Sequence, residues 1–298
     1  MNSPSNSSVN VRLGAISFVN TVPVYSAYQP DERVELIYDV PARLNARILS
    51  GELDISPISS ACYLRNQDRL VLLNDLSVSS PGAVESVLFL SREPLGPGVL
   101  DMPVLNVPND SETSVALLAY LLQEFTGQDL RPWFRVYEAA DYHQILQASG
   151  NALIIGDNAL MMKESLNQNA PELSQDLYCY DLSTLWRDKT SLPFVFAVWV
   201  ADRQWAEANP ARLTEINRQL CEARNRFFQE PTLFQTGLQT AQARSELPFT
   251  TLERYYRECL NYHLSPNHQR SLEQFEAILS LKAIPDSESV IRERQPAR

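Results

Sequence analysis

Gly14-Ala15-Ile16-Ser17-Phe18-Val19-Asn20-Thr21-Val22-Pro23 is the stretch on which the reading of this chain turns. Together with Val11 and Leu13 it opens as an apolar run that reads as a buried first strand. It then becomes polar at Asn20-Thr21 and stops at a proline. A strand built this way delivers an amide to its carboxyl end. In open α/β sheets ligands bind in the crevice outside the carboxyl ends of the strands, so Asn20 is the first candidate to face one. The alternative is an Asx-turn in which the Asn20 amide only caps its own loop.

Outward from this stretch, strands and helices alternate. Val34 to Tyr38 reads as a second strand, and Pro41 opens a helix with Leu44, Ile48 and Leu49 on its buried stripe and Gly51 as its stop. A third strand is expected from Gly51 to Ile55, running into Ser59-Ser60 where the next helix, Ala61 to Asn66, would begin. Hydroxyls there either cap the helix or share its free N–H groups with an anion. Leu70 to Leu76 is a short apolar segment, and Gly82 to Ser91 is a β-prone run with Ser86 near its start. Pro94 and Gly96-Pro97-Gly98 break the pattern and mark an expected crossing into a second lobe.

The second lobe repeats the pattern of the first. Leu105-Asn106-Val107 reads as a strand, and Ser111, Thr113 and Ser114 dress the start of a helix over Val115 to Phe125, giving a second hydroxyl-lined helix N-terminus. Asp110 and Glu112 beside it suit the helix dipole but would repel a bound carboxylate unless they point away. Ala152 to Ile155 is a buried strand ending in Gly156-Asp157. Gly156 lets backbone come close to a ligand, and Asp157 either accepts a hydrogen bond from a hydroxyl or caps a helix beginning at Ala159. Leu192 to Val200 is the most strand-like run and is expected to be the return crossing. From Arg203 onward the periodicity is helical, including Leu252 to Tyr262 and Arg270 to Leu281. Tyr255, Tyr256 and Tyr262 read as core aromatics.

Composition narrows the function classes. With 36 acidic against 25 basic residues, a net charge of −11 and no basic cluster, the chain lacks the surface that tracks nucleic-acid phosphates. Residues 1–10, rich in Ser and Asn, have neither the basic nor the apolar region of a signal peptide and are expected to be a disordered tail on a protein that is not exported. The longest apolar run, Leu192 to Ala201, is about half a membrane span. Cys62, Cys179, Cys221 and Cys259 are far apart, which fits free thiols in a reducing cytoplasm and no zinc site. Neither G-x-G-x-x-G nor G-x-x-x-x-G-K-[ST] occurs, so no nucleotide cofactor is indicated.

The segment Gly14 to Pro23 matches the G-x-[VI]-S-[YF]-[LV]-N-x-x-P opening of the chorismate dehydratases of the futalosine route to menaquinone, and the chain resembles that family in seven further places. They are Val40-Pro41 with Leu44, Gly51-Glu52-Leu53-Asp54, Ser60 with Tyr63, and Gly82-x-Val84-x-Ser86-Val87-x-x-x-Ser91-Arg92. The remaining three are Ser111-x-Thr113-Ser114-Val115-Ala116-Leu117-Leu118, Leu153-Ile154-Ile155-Gly156-Asp157-x-Ala159-Leu160, and Leu192-Pro193-Phe194-Val195-Phe196-Ala197-Val198-Trp199. These fall in family order from about Arg12 to Leu281. Ala42 stands where a Ser is frequent, and Cys62 where a Glu is frequent.

The resemblance implies an α/β chain with the two-lobed type II periplasmic-binding-protein architecture, a ligand cleft between the lobes and a helical C-terminal part. The expected lobes are 11–92 with 194–298, and 93–193. It implies dehydration of chorismate to 3-[(1-carboxyvinyl)oxy]benzoate, with Asn20 and Ser86 nearest the reacting carbons. Ser59, Ser60, Ser111, Thr113, Ser114, Gly156 and Asp157 are the expected substrate-binding residues. The expected partner is a small dicarboxylate, with no nucleic acid, membrane, metal or cofactor involved. Because His143, His263 and His268 lie outside every motif, the substrate's own enolpyruvyl carboxylate is the expected base. Competing readings are a non-catalytic binder of small carboxylates and the related 1,4-dihydroxy-6-naphthoate synthase, which resembles this chain but carries His-Glu where it has Gly156-Asp157.

Overall fold

In a computed structural model, residues 11–95, 104–129, 131–168 and 177–281 are described. Gly96-Pro97-Gly98 and the tail 1–10 lie outside them. The order of elements is β1 (Val11–Ile16), α1 (Val22–Tyr25), β2 (Val34–Asp39), α2 (Pro41–Leu49), β3 (Ile55–Ser59), α3 (Ser60–Arg65), β4 (Leu70–Ser80) and β5 (Val87–Ser91). Then come β6 (Leu105–Pro108), α4 (Glu112–Thr126), β7 (Phe134–Tyr137), α5 (Tyr142–Ser149), β8 (Asn151–Ile155), α6 (Gly156–Asn167), β9 (Tyr178–Asp181), α7 (Leu182–Thr190) and β10 (Phe194–Asp202). The helices α8 (Arg203–Ala208), α9 (Pro210–Gln229), α10 (Pro231–Ser245), α11 (Phe249–Arg254) and α12 (Pro266–Leu281) follow.

The larger sheet has the order β2-β1-β3-β10-β4, with β1 parallel to β2 and β3, and β10 antiparallel to β3 and β4. Strand β1 is buried almost throughout, as its apolar residues require. Asp54 pins it, accepting from Arg12 N at 2.7 Å and pairing with the Arg12 guanidinium at 2.5 Å, which gives the Gly-Glu-Leu-Asp segment a structural task. Gly14 is packed so closely that a Cβ there would lie 2.3 Å from Ser56 Oγ, so any other residue would force the Ser56 side chain aside.

A three-stranded sheet, β8-β5-β9, and the parallel pair β6-β7 build the other half. The pair is stitched to β8 through buried amides: Asn106 N donates to Asn151 Oδ1 at 3.1 Å, and Asn106 Nδ2 to Asn151 O at 3.1 Å. Strand β5, expected on the first-lobe side of a boundary at residue 93, pairs instead with β8 and β9. The chain therefore leaves the larger sheet between Ser80 and Val87 rather than at Pro94, and it returns through Ser191-Leu192-Pro193 into β10.

Three other expectations shift. Strand β3 starts at Ile55 because Gly51, at φ +77°, ends α2, and Glu52 and Leu53 turn back to donate to Arg47 O. Strand β4 runs four residues past Leu76, because the buried hydroxyls of Ser77, Ser79 and Ser80 each find a carbonyl, on His263, Asn261 and Gly82. The helix expected through Tyr262 stops earlier: after α11 the residues Tyr255–Cys259 form a π-helical turn, and Leu260 is extended. Asn261 then bridges Ser79 on the free edge of β4, with N–H···O contacts of 2.7 and 2.9 Å. Covering that edge satisfies backbone groups that a continued helix would have left bare.

Candidate active site

The carboxyl ends of β1 and β3, the N-terminus of α4 and the segment leading into β5 converge on one cleft. Its free volume is about 60 Å³. Its polar lining is Asn20, Ser59, Ser86, Ser111, Thr113 and Ser114, with Gly156 beside them. Its walls are apolar side chains such as Phe18, Val84, Ile155 and Phe196. Among the described residues that line it none carries an ionisable side chain. Seven of the nine residues singled out from the sequence therefore share one cavity, although Asn20 and Ser86 are 66 positions apart in the chain.

Asn20 sits in a single 3-10 turn, Val19–Thr21, directly after β1. Its Oδ1 is buried and has no hydrogen-bond partner among the described residues. The Asx-turn reading is thereby set aside, since the amide bonds nothing in its own loop. Ser86 precedes β5, and its Oγ accepts from the Tyr255 hydroxyl at 2.8 Å. Ser86 O accepts from Gly156 N at 2.8 Å, which ties the turn before β5 to the start of α6.

The two hydroxyl-bearing helix ends do not hold separate places in the cleft; they abut. Thr113 Oγ1 accepts from Ala61 N at 2.9 Å and lies 3.3 Å from Ser60 Oγ. Ser60 spends its proton on Val195 O at 2.7 Å, so in the Ser60–Thr113 contact Thr113 is the donor. Ser60, expected to bind substrate, is fully buried and is not among the residues that line the cleft. Ser59 caps α3, accepting from Cys62 N, and Ser111 caps α4, accepting from Ser114 N.

Asp157 also falls outside the cleft. Its Oδ1 accepts from Val19 N at 3.1 Å, joining α6 to the turn after β1, and it caps no helix at Ala159 because α6 already starts at Gly156. It faces a second cavity with Asp110, Asn158 and Arg244, separated from the first by Phe18 and Ile155, which line both. Burial pushes the carboxyls of Asp110 and Asp157 up to about 6. Asp110 thus points away from the cleft. Glu112 does not line it either, being ion-paired with Arg65 of α3.

Several residues that brace the site were not singled out as functional. Asn45, buried in α2, holds Ser59 from both sides: its Nδ2 donates to Ser59 Oγ at 2.9 Å and its Oδ1 accepts from Ser59 N at 3.0 Å. An amide next to Leu44 on an apolar helix face was the available signal. Tyr256 donates to Val19 O and Tyr262 to Asn20 O, each at 2.9 Å. These tyrosines are core aromatics, as read, yet their hydroxyls reach the backbone that carries Asn20. Burial holds the Cys62 and Cys259 thiols up at about 12, so neither is a ready nucleophile.

The five-stranded sheet on one side and the three- and two-stranded sheets on the other make a mixed α/β protein with a periplasmic-binding-protein-like fold. The fold is similar to that of protein AF1704 from Archaeoglobus fulgidus, with a TM-score of 0.73, 14% identity and coverage of 94% of this chain and 100% of that one. It is also similar to the periplasmic aliphatic sulphonate binding protein SsuA from Escherichia coli, with a TM-score of 0.62, 15% identity and coverage of 93% and 94%. At such identities the likeness concerns the fold alone. Residues 11–280 match the menaquinone biosynthesis family, and the chain belongs to it. A curated relative, the chorismate dehydratase of Thermus thermophilus, is 33% identical over 281 residues, covering 92% of this chain and 96% of its own length. Among the described residues no helix is long and apolar enough to cross a membrane.

Proposed function

We propose that the protein is a chorismate dehydratase, eliminating water from chorismate to give 3-[(1-carboxyvinyl)oxy]benzoate. The observation that carries the reading is the lining of the cleft, one unpaired amide and five hydroxyls with no ionisable side chain among the described residues, in a chain of the menaquinone biosynthesis family. A cleft of this kind suits a reaction whose driving force and base both reside in the substrate. The C3 proton of chorismate passes to its enolpyruvyl carboxylate, the C4–O bond breaks, and the departing hydroxide takes up a proton as the ring becomes aromatic. The protein's part is orientation and stabilisation of the charge that develops on the leaving oxygen.

In this reading Asn20 and Ser86 address the reacting edge of the ring, while Ser111 and Ser114 hold carboxylate oxygens and Ser59, whose hydroxyl points at Glu112, frames the cleft beside them. Thr113 and Ser60 join the two halves instead. The lobes we assign are residues 11–80 with 194–281, and 87–193, following the strand pairing. The same reading places the protein in the cytoplasm, acting on a small dianion and not on nucleic acid or membranes. The net charge of −11 supports this, because the anion would be held by local dipoles and not by a basic field.

The test is to incubate purified protein with chorismate and follow the loss of one water by mass spectrometry. Turnover to the dehydrated product is the expected result. Tight binding with no conversion would make the protein a receptor, and conversion of neither chorismate nor its dehydrated form would remove it from this step.

A further inference from the structure

Tyr255 is fully buried in the π-helical turn that follows α11, 169 residues from Ser86 in sequence, and its hydroxyl lies 2.8 Å from Ser86 Oγ. Burial in apolar surroundings raises the phenol well above its ordinary value, so at working pH it keeps its proton and acts as a donor. Ser86 Oγ has one proton, and among the described residues its only hydrogen bond is the one it accepts from Tyr255. With one lone pair taken by the tyrosine, the Ser86 O–H is left free to donate elsewhere, and Ser86 lines the cleft. The π turn makes this possible. It brings Tyr255 to Ser86 while the adjacent Tyr256 reaches Val19 O, so two consecutive residues serve two sides of the site.

We propose that Tyr255 is a positioning residue for the reaction: its hydroxyl orients Ser86 so that the serine presents its proton to the leaving oxygen. The inference rests on the dehydratase reading and adds a residue to it that does not line the cleft. Without the phenol, Ser86 rotates freely and its proton is shared among orientations, which slows the chemical step and leaves substrate binding nearly unchanged.

The experiment is a double-mutant cycle on Tyr255→Phe and Ser86→Ala with chorismate as substrate, kcat and KM being measured for each variant. Tyr255→Phe is expected to lower kcat about tenfold or more with KM within about twofold of wild type. Adding Tyr255→Phe to Ser86→Ala should cost nothing further, since the tyrosine acts only through the serine. Tyr137→Phe is the control: its buried hydroxyl donates to Leu153 O at 2.7 Å away from the cleft, and its loss should leave kcat unchanged.

A Tyr255→Phe protein with wild-type kcat, or multiplicative losses in the double variant, would overturn the proposal. So would an equal loss in Tyr137→Phe, which would point to general loosening of the fold. Should Tyr255→Phe fold poorly, 3-fluorotyrosine at position 255 keeps the hydroxyl, and its fluorine resonance should move on Ser86→Ala. An unmoved resonance would show that the hydrogen bond is not made. If wild-type protein converts no chorismate at all, the functional reading itself has failed, and the inference falls with it.

Discussion

A threonine hydroxyl has one proton to give, and Thr113 has placed it on Ser60 while accepting the N–H of Ala61. That accounting turns an expected ligand contact into a bolt between α3 and α4. Thr113→Val keeps the shape and leaves the buried Ala61 N–H without its acceptor. The variant is expected to lose about 1–3 kcal/mol, read as a lower midpoint in calorimetry; a wild-type midpoint would mean the bolt carries no load. Asn20 is the opposite case, its buried Oδ1 having no partner among the described residues. Asn20→Ala should lower kcat about a hundred- to a thousandfold while changing affinity little, as single-turnover rates at saturating chorismate would show. Turnover at the wild-type rate would mean that the opening strand only frames the cleft. Asn20 could be singled out in the sequence as an amide delivered to the end of a strand-like run, and Ser86, at the start of another, only through the family resemblance. Their tyrosine partners could not, because pairs separated by 169 and 242 residues leave no local periodicity.

At the scale of elements, the sequence announces regular structure and hides its interruptions. The amphipathic spacing of α9 and the alternation of buried strands are local patterns, and the observed elements follow them. The break after Cys259 has no local cause: it is fixed by the unpaired edge of β4, where Asn261 bonds Ser79. The start of α6 is a similar case. Gly156 takes φ +62°, and a Cβ added there would lie 3.1 Å from two carbons of the Phe18 ring. Phe18 divides the cleft from the second cavity, so the glycine sets the position of that wall. Gly156→Ala is expected to cost about 1–2 kcal/mol for the left-handed backbone and to raise KM by pushing Phe18 into the cleft. Thermal melts and steady-state kinetics measured on the same preparation test both parts, and an unchanged KM would show that Phe18 yields toward the second cavity instead.

For the whole molecule, buried and ion-paired carboxyls bear on how stability responds to pH, and they combine groups with opposite signs. Asp110 and Asp157 are held at about 6, chiefly because burial disfavours their charge. Asp157 keeps some surface open to the second cavity, yet its hydrogen bond from Val19 and the attraction of Arg244 only partly offset the loss of water around it. A carboxyl raised in the folded state favours folding while it is protonated in both states, below about 4. That advantage is lost as pH rises through about 6, where the folded protein must also ionise it. The shift from 3.8 to about 6 corresponds to about 2–3 kcal/mol for a group so enclosed. Asp75 has the opposite sign, being held down by Arg224 and His263 against a burial effect that alone would raise it, so its contribution is lost in acid. Stability from these groups should therefore peak at mildly acidic pH. Asp157→Asn removes the ionisation and keeps an acceptor for Val19 N–H. It is expected to raise the melting midpoint at pH 8 and to leave it unchanged near pH 4, so that its curve against pH is flatter than that of wild type between these limits. If the variant instead melted lower than wild type at pH 8, the charge on Asp157 would be stabilising the contact between the halves, and the ionised carboxylate would be the form for which this junction is built.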